Sequence, residues 1–192
     1  MLAGSEASYV CALHPTDQGI GLATLDPSTG ELLATWLADS HRLLEELTRL
    51  RPAEILLCED KSWPELGATP TVQVPKQRPE QAEHFLRGHF CVAHLQGFGL
   101  QETPLLAIPV AMALAFAPRN GVDLRHVTTL SVYRCENFLA IDPFTRRSLE
   151  LTQNLSDGSK RHTLFEVLDS TVTGMGARAL RRWIDQPLLD RE

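Results

Sequence analysis

From residue 8 to residue 37 the chain sets short apolar runs between turn residues, and no run is long enough for a helix. The runs at 8–13, 19–25 and 31–37 predict three strands. Asp26-Pro27-Ser28-Thr29-Gly30 between the last two is turn chemistry, because Pro presets φ and Gly accepts a positive value. His14-Pro15-Thr16-Asp17-Gln18-Gly19 serves in the same way between the first two. Links this short force antiparallel neighbours, which makes a meander. The period then changes. Leu43, Leu44, Leu47 and Leu50 form one stripe of a helix that Asp39 or Ser40 caps and Pro52 ends. Glu54-Ile55-Leu56-Leu57-Cys58 is a short apolar run suited to a buried strand, and a helix before it implies a parallel crossover.

Beyond residue 60 the pattern is irregular, with Pro64, Pro70, Pro75 and Pro79 leaving room for one short strand at 71–74. Pro79 suits the first turn of a helix running to about His94. Its buried stripe is expected to be Ala82, Phe85, Leu86 and Phe90, with Glu80, Glu83, His84 and Arg87 towards solvent. A very apolar helix follows at 105–117, and Pro109 inside it predicts a kink. Residues 126–134 read as a strand or extended arm. Asp142 caps a helix through Leu151, 154–161 is a polar loop, 163–169 is a short helix, and Thr173 caps a last helix through Asp185. The expected class is α/β: a ribonuclease H-like mixed sheet with helices, followed by a mainly α-helical segment.

With 192 residues, 43% hydrophobic and 22% charged, the chain has enough apolar matter for a core and is not a disordered one. The net charge of −6 argues against the whole chain being a dedicated DNA grip. Charge divides unevenly, −7 over residues 1–103 and +1 over 104–192, so the chain changes character near Glu102-Thr103-Pro104. Cys11, Cys58, Cys91 and Cys135 have neither zinc-finger spacing nor the density of a disulfide framework. There is no leader-like start and no run of 18 apolar residues, so the expected setting is the cytoplasm, away from membranes.

A sheet of this type invites a two-metal nuclease reading, which needs carboxylates converging on the first strand. Tyr9-Val10-Cys11-Ala12-Leu13 carries none; Glu59 and Asp60 follow the fourth strand, and Asp17 and Asp26 lie in turns. No phosphate-binding loop or metal-binding helix motif is present. His84, His89 and His94 stand five apart, about 140° round a helix from one another, and cannot share a metal. We therefore expect no catalytic residue, no cofactor and no metal site. Arg146-Arg147, Lys160-Arg161, Arg178 and Arg181-Arg182 are basic clusters, read either as phosphate contacts, chiefly Arg181 and Arg182, or as partners of Glu150, Asp169 or Asp185.

The second half carries a dense pattern. Thr145-Arg146-Arg147-Ser148-Leu149-Glu150-Leu151-Thr152-Gln153-Asn154-Leu155 is followed by Thr163-Leu164-Phe165-Glu166-Val167-Leu168-Asp169, by Thr171-Val172-Thr173-Gly174-Met175-Gly176-Ala177-Arg178, and by Trp183 and Pro187-Leu188-Leu189-Asp190. This closely resembles the beginning of the core, or lever, domain of the MutS family of DNA mismatch repair proteins. Gly21-Leu22-Ala23-Thr24-Leu25-Asp26-Pro27-Ser28-Thr29-Gly30-Glu31 and Arg51-Pro52-Ala53-Glu54-Ile55-Leu56-Leu57 are similar to its connector domain, which is ribonuclease H-like and non-catalytic.

The resemblance implies a connector over 8–121, the start of the lever over 122–192, and an N-terminal extension over 1–7, part of it foreign to the parent. It implies an internal piece of a longer protein, without the mismatch-reading domain, the clamp or the ATPase. The parent would be an ATP- and Mg-dependent sensor of mismatched DNA, a homodimer that recruits MutL. This piece would couple the DNA-reading and ATPase ends and dock MutL through the helix at 79–94, where Glu80, His84 and Arg87 are the candidate contacts. A metal-dependent nuclease and a duplex-backbone binder stand as alternatives.

Overall fold

The structure, a computed structural model, describes residues 8–58, 63, 66–101, 103–117 and 121–189. Glu59 and Asp60 lie outside the described residues. The chain forms two compact units, one over Ser8–Cys135 and one containing Glu136–Glu192.

In the first unit β1 (Val10–Thr16), β2 (Gly19–Asp26) and β3 (Glu31–Leu37) make the expected antiparallel meander, with Val10 opposite Leu25 and Ile20 opposite Leu37. Helix α1 (Ser40–Leu50) crosses to β4 (Glu54–Leu57), which lies parallel to β1. Asp39 is the cap, its carboxylate accepting from the Arg42 N–H at 2.9 Å. The short strand β5 (Thr71–Gln73) pairs parallel to β4, and the two-residue β6 (Ser131–Val132) pairs parallel to β3. The strand order is β5-β4-β1-β2-β3-β6.

Helices cover both faces, so β2 is buried along its whole length instead of alternating. Cys11, Leu13, Leu22, Leu37, Ile55 and Leu57 face α1, where Leu43, Leu47 and Leu50 meet them. Ala12, Ala23, Leu25, Ala34 and Leu56 face the other way, towards α2 (Pro79–Phe90) and α3 (Ala107–Phe116). The small residues on this second face let α3 lie close to the strands.

Several expectations need correction. On α1, Leu44 is exposed and Glu46 takes the buried position, because Glu46 is paired with Arg49 and with Tyr133. On α2, Phe85 is exposed and the helix ends at Phe90, where Cys91 turns left-handed at φ 54°. Pro109 does not fall in a helix interior as expected: residues 104–106 form a 3-10 turn and α3 begins at Ala107, which puts Pro109 in the first turn. The N–H groups of a first turn have no partner within the helix, so proline there removes no bond. Helix α3 is buried in the centre of the sheet unit, against β1, β2 and α2. Residues 122–135, expected with the second half, lie on the sheet, where Val127 and Leu130 are buried.

In the second unit α4 (Pro143–Ser148) starts at the expected Asp142 cap but stops short of Leu151, since Glu150 adopts φ 46°. The helices α5 (Leu164–Leu168) and α6 (Gly174–Asp185) begin at Thr163 and Thr173, whose hydroxyls accept from the Glu166 and Gly176 N–H groups. Gly176 is packed tightly: an added Cβ would lie 3.3 Å from Thr171.

Candidate interaction surfaces

Ala82 and Leu86 fix the inner side of α2. A rotation of about 100° per residue then places Glu80, His84 and Arg87 within one sector of about 60° on the outer side. Pro79 occupies the first position, and the Arg78 N–H donates to Gln81 Oε1 at 3.2 Å, so the start of the helix is well fixed. Glu80 and His84 are exposed, and Arg87 donates to Glu83 one turn back. That pair is half exposed and contributes little to stability, but it sets the direction of the guanidinium. The three candidates therefore do share one face.

The sequence reading missed two features beside that face. Phe85 is exposed and stacks on His89 with ring centroids 6.4 Å apart. Phe90 stacks on Phe98 at 4.5 Å and holds the turn at Gln96–Phe98 against the end of the helix. Between this turn and the first half of α2 lies a groove of about 290 Å³, floored by Leu95, Leu100 and Ala107 and rimmed by Glu83, His94 and Gln101. The signal for it was the stop at Gly97 and Gly99, which turns the chain back along α2.

The three spaced histidines have separate fates. His84 is exposed on α2, His89 Nε2 donates to the Val127 carbonyl at 2.9 Å, and His94 lies beyond the helix end. Among the described residues no three His, Cys, Asp or Glu side chains are grouped as a metal site. Burial pushes the Cys11 thiol up to about 12, so it stays protonated at neutral pH.

The basic clusters of the second unit divide. Arg146 Nη1 donates to Asp185 Oδ1 at 2.5 Å and its Nη2 to the Asp185 carbonyl at 2.9 Å, which ties α4 to the end of α6. Arg181 Nε lies 3.8 Å from the other Asp185 oxygen. Arg182 is exposed. Glu150 and Asp169, the other expected partners, instead accept local bonds from the Leu155 N–H and from Thr171. No described helix is long and apolar enough to cross a membrane.

Two family models match the chain: MutS domain II over residues 8–119 and MutS domain III over residues 144–192. Proteins named DNA mismatch repair protein MutS are similar along nearly its whole length. That of Symbiobacterium thermophilum is 40% identical over 95% of this chain, that of Protochlamydia amoebophila 38% over 98%, and that of Myxococcus xanthus 34% over 95%. The chain spans only 22–23% of the length of these relatives. Two domain models in the right order, one on each structural unit, leave a single reading: the chain belongs to the MutS family of DNA mismatch repair proteins and carries its domains II and III.

Proposed function

We propose that this chain is a non-catalytic coupling and docking element of a mismatch repair protein. Residues 8–121 act as the connector and residues from 122 onward begin the lever, with the first stretch of these, to Cys135, packed within the sheet unit. The order β5-β4-β1-β2-β3, with a meander followed by two parallel strands, supports a ribonuclease H-like reading of the connector. A first strand reading Val10-Cys11-Ala12-Leu13-His14-Pro15-Thr16 offers no carboxylate for two-metal hydrolysis. ATP and Mg binding, mismatched-DNA binding and dimer formation are assigned to the rest of the parent, and its setting is the cytoplasm. MutL is the partner for this piece.

The observation that carries the docking role is the outer face of α2, where Glu80, His84 and Arg87 stand together beside an open groove. Calorimetric titration with the N-terminal ATPase region of MutL tests it. Heat of binding that Glu80→Ala, His84→Ala and Arg87→Ala together reduce at least about tenfold supports the docking face. Unchanged affinity in the triple variant would remove α2 from the interface. Heat with a mismatched duplex alone, steeply salt dependent and lost on substituting Arg181 and Arg182, would transfer the role to DNA contact.

A further inference from the structure

The segment that carries the chain from the sheet towards residue 136 is seated mainly by side chains. Its ladder has two positions, Leu33 with Ser131 and Ala34 with Val132, and the Tyr133 N–H adds one bond to the Ala34 carbonyl at 3.0 Å. A parallel edge strand of that length is a weak hold. Val127 and Leu130 anchor its first half in the core, and three other elements add polar contacts. His126 Nε2 donates to the Pro27 carbonyl in the β2–β3 turn at 3.0 Å, and His89 of α2 donates to the Val127 carbonyl. The Tyr133 side chain reaches α1. Its hydroxyl donates to Glu46 Oε2 at 2.7 Å and accepts from Arg49 Nη2 at 3.3 Å, while the same Arg49 nitrogen meets Glu46 Oε2 at 2.5 Å.

Arg49 and Glu46 retain only 8% and 12% of their side-chain exposure. Desolvation offsets most of the attraction in such a pair, whose better attested role is to select one arrangement among several. Glu46 occupies a position on the buried stripe of α1 where an apolar residue would pack without that cost. A carboxylate there is explained by what it holds.

We propose that Glu46, Arg49 and Tyr133 form a latch, a conformational device that keeps the arm over residues 131–135 closed against α1 and β3 and that opens as a unit without unfolding the sheet. While the latch is closed, α1 sets the position at which the chain leaves the sheet. When it opens, β3 loses its short outer neighbour but keeps all seven register positions with β2. The inference stands on the geometry of the sheet unit and is independent of the repair role.

Amide hydrogen exchange on the 192-residue chain, comparing the wild type with Tyr133→Phe, tests the latch. The substitution removes one hydroxyl and keeps the ring. The Tyr133 amide, which bonds the Ala34 carbonyl, should exchange at least about tenfold faster in the variant, while the amides of β1, β2 and β3 keep their rates. No acceleration in the arm would overturn the proposal, as would equal acceleration throughout the sheet. Should the variant not fold, the wild type in low denaturant decides. Arm amides whose exchange does not follow denaturant support the latch, and arm and β2 amides sharing one denaturant-dependent opening overturn it.

Discussion

Gly30 closes the β2–β3 turn at φ 78°, a conformation that side chains with a Cβ adopt at a cost, and its N–H bonds the Asp26 carbonyl at 2.9 Å. A Cβ at this position would stand 2.8 Å from the His126 ring. Two effects therefore coincide in Gly30→Ala: strain in the turn, and displacement of the imidazole that reaches the neighbouring Pro27 carbonyl. We expect a loss of roughly 1–3 kcal/mol in chemical denaturation, together with a shift of the His126 ring resonances. A loss without that shift would attribute the whole effect to the turn. The sequence marked Gly30 as a turn residue. It could not mark the imidazole 96 positions away, because that neighbour is chosen by the path of the arm.

At the scale of elements, local signals were strong where they were redundant. Short apolar runs bounded by Pro and Gly located the meander, the caps Asp142 and Thr173 start their helices as read, and of Asp39 and Ser40 it is Asp39 that caps α1. What failed depended on partners distant in sequence. Leu44 and Glu46 could exchange roles on α1 only because Tyr133 arrives from 87 residues away. The groove along α2 likewise needs the chain to reverse at Gly97 and Gly99. Helix α3 illustrates the difference. A kink at Pro109 predicts that Pro109→Ala would straighten and strengthen a helix. The structure predicts the opposite sign: Pro109 is buried in the first turn, with its ring beside Gly21, and no helix bond is regained by replacing it. Losing two packed ring carbons, at about 0.8 kcal/mol each, and some rigidity of the unfolded chain should destabilise by roughly 1–3 kcal/mol. Circular dichroism with denaturant titration checks this: helix content should hold while the midpoint falls, and a raised midpoint would restore the kink.

The two units of the molecule are held by different forces. The sheet unit buries apolar side chains on both faces, whereas in the second unit the buried apolar residues among those described are Phe165 and Ala177. There, Phe144 at 79%, Val172 at 99% and Trp183 at 72% remain exposed, and order rests on caps, tight polar loops and the Arg146–Asp185 pair. Titration should separate the units. The Thr145 hydroxyl beside Asp142, the Ser159 N–H on Asp157 and the Thr171 hydroxyl beside Asp169 hold these carboxyls below their ordinary range. A depressed carboxyl contributes stability that is present above its unfolded pKa and lost as pH falls through the folded one. The sheet unit has Asp123, held down by the Arg125 side chain, in the same condition, so the second unit with its three such carboxyls should lose more exchange protection than the sheet below about pH 4. Tyr9 and Tyr133 titrate the other way: burial raises both phenols, and Glu31 adds to the shift of Tyr9. A raised phenol or thiol contributes stability below its unfolded value, and that contribution is lost as pH rises above it, so with Cys11 of β1 raised as well the sheet unit should weaken from about pH 9 upward. Peptide-resolved exchange across pH 3 to 11 would check both limbs. Loss of the sheet first on the acid side would mean that its apolar core, and not the capped carboxyls of the second unit, is the weaker support.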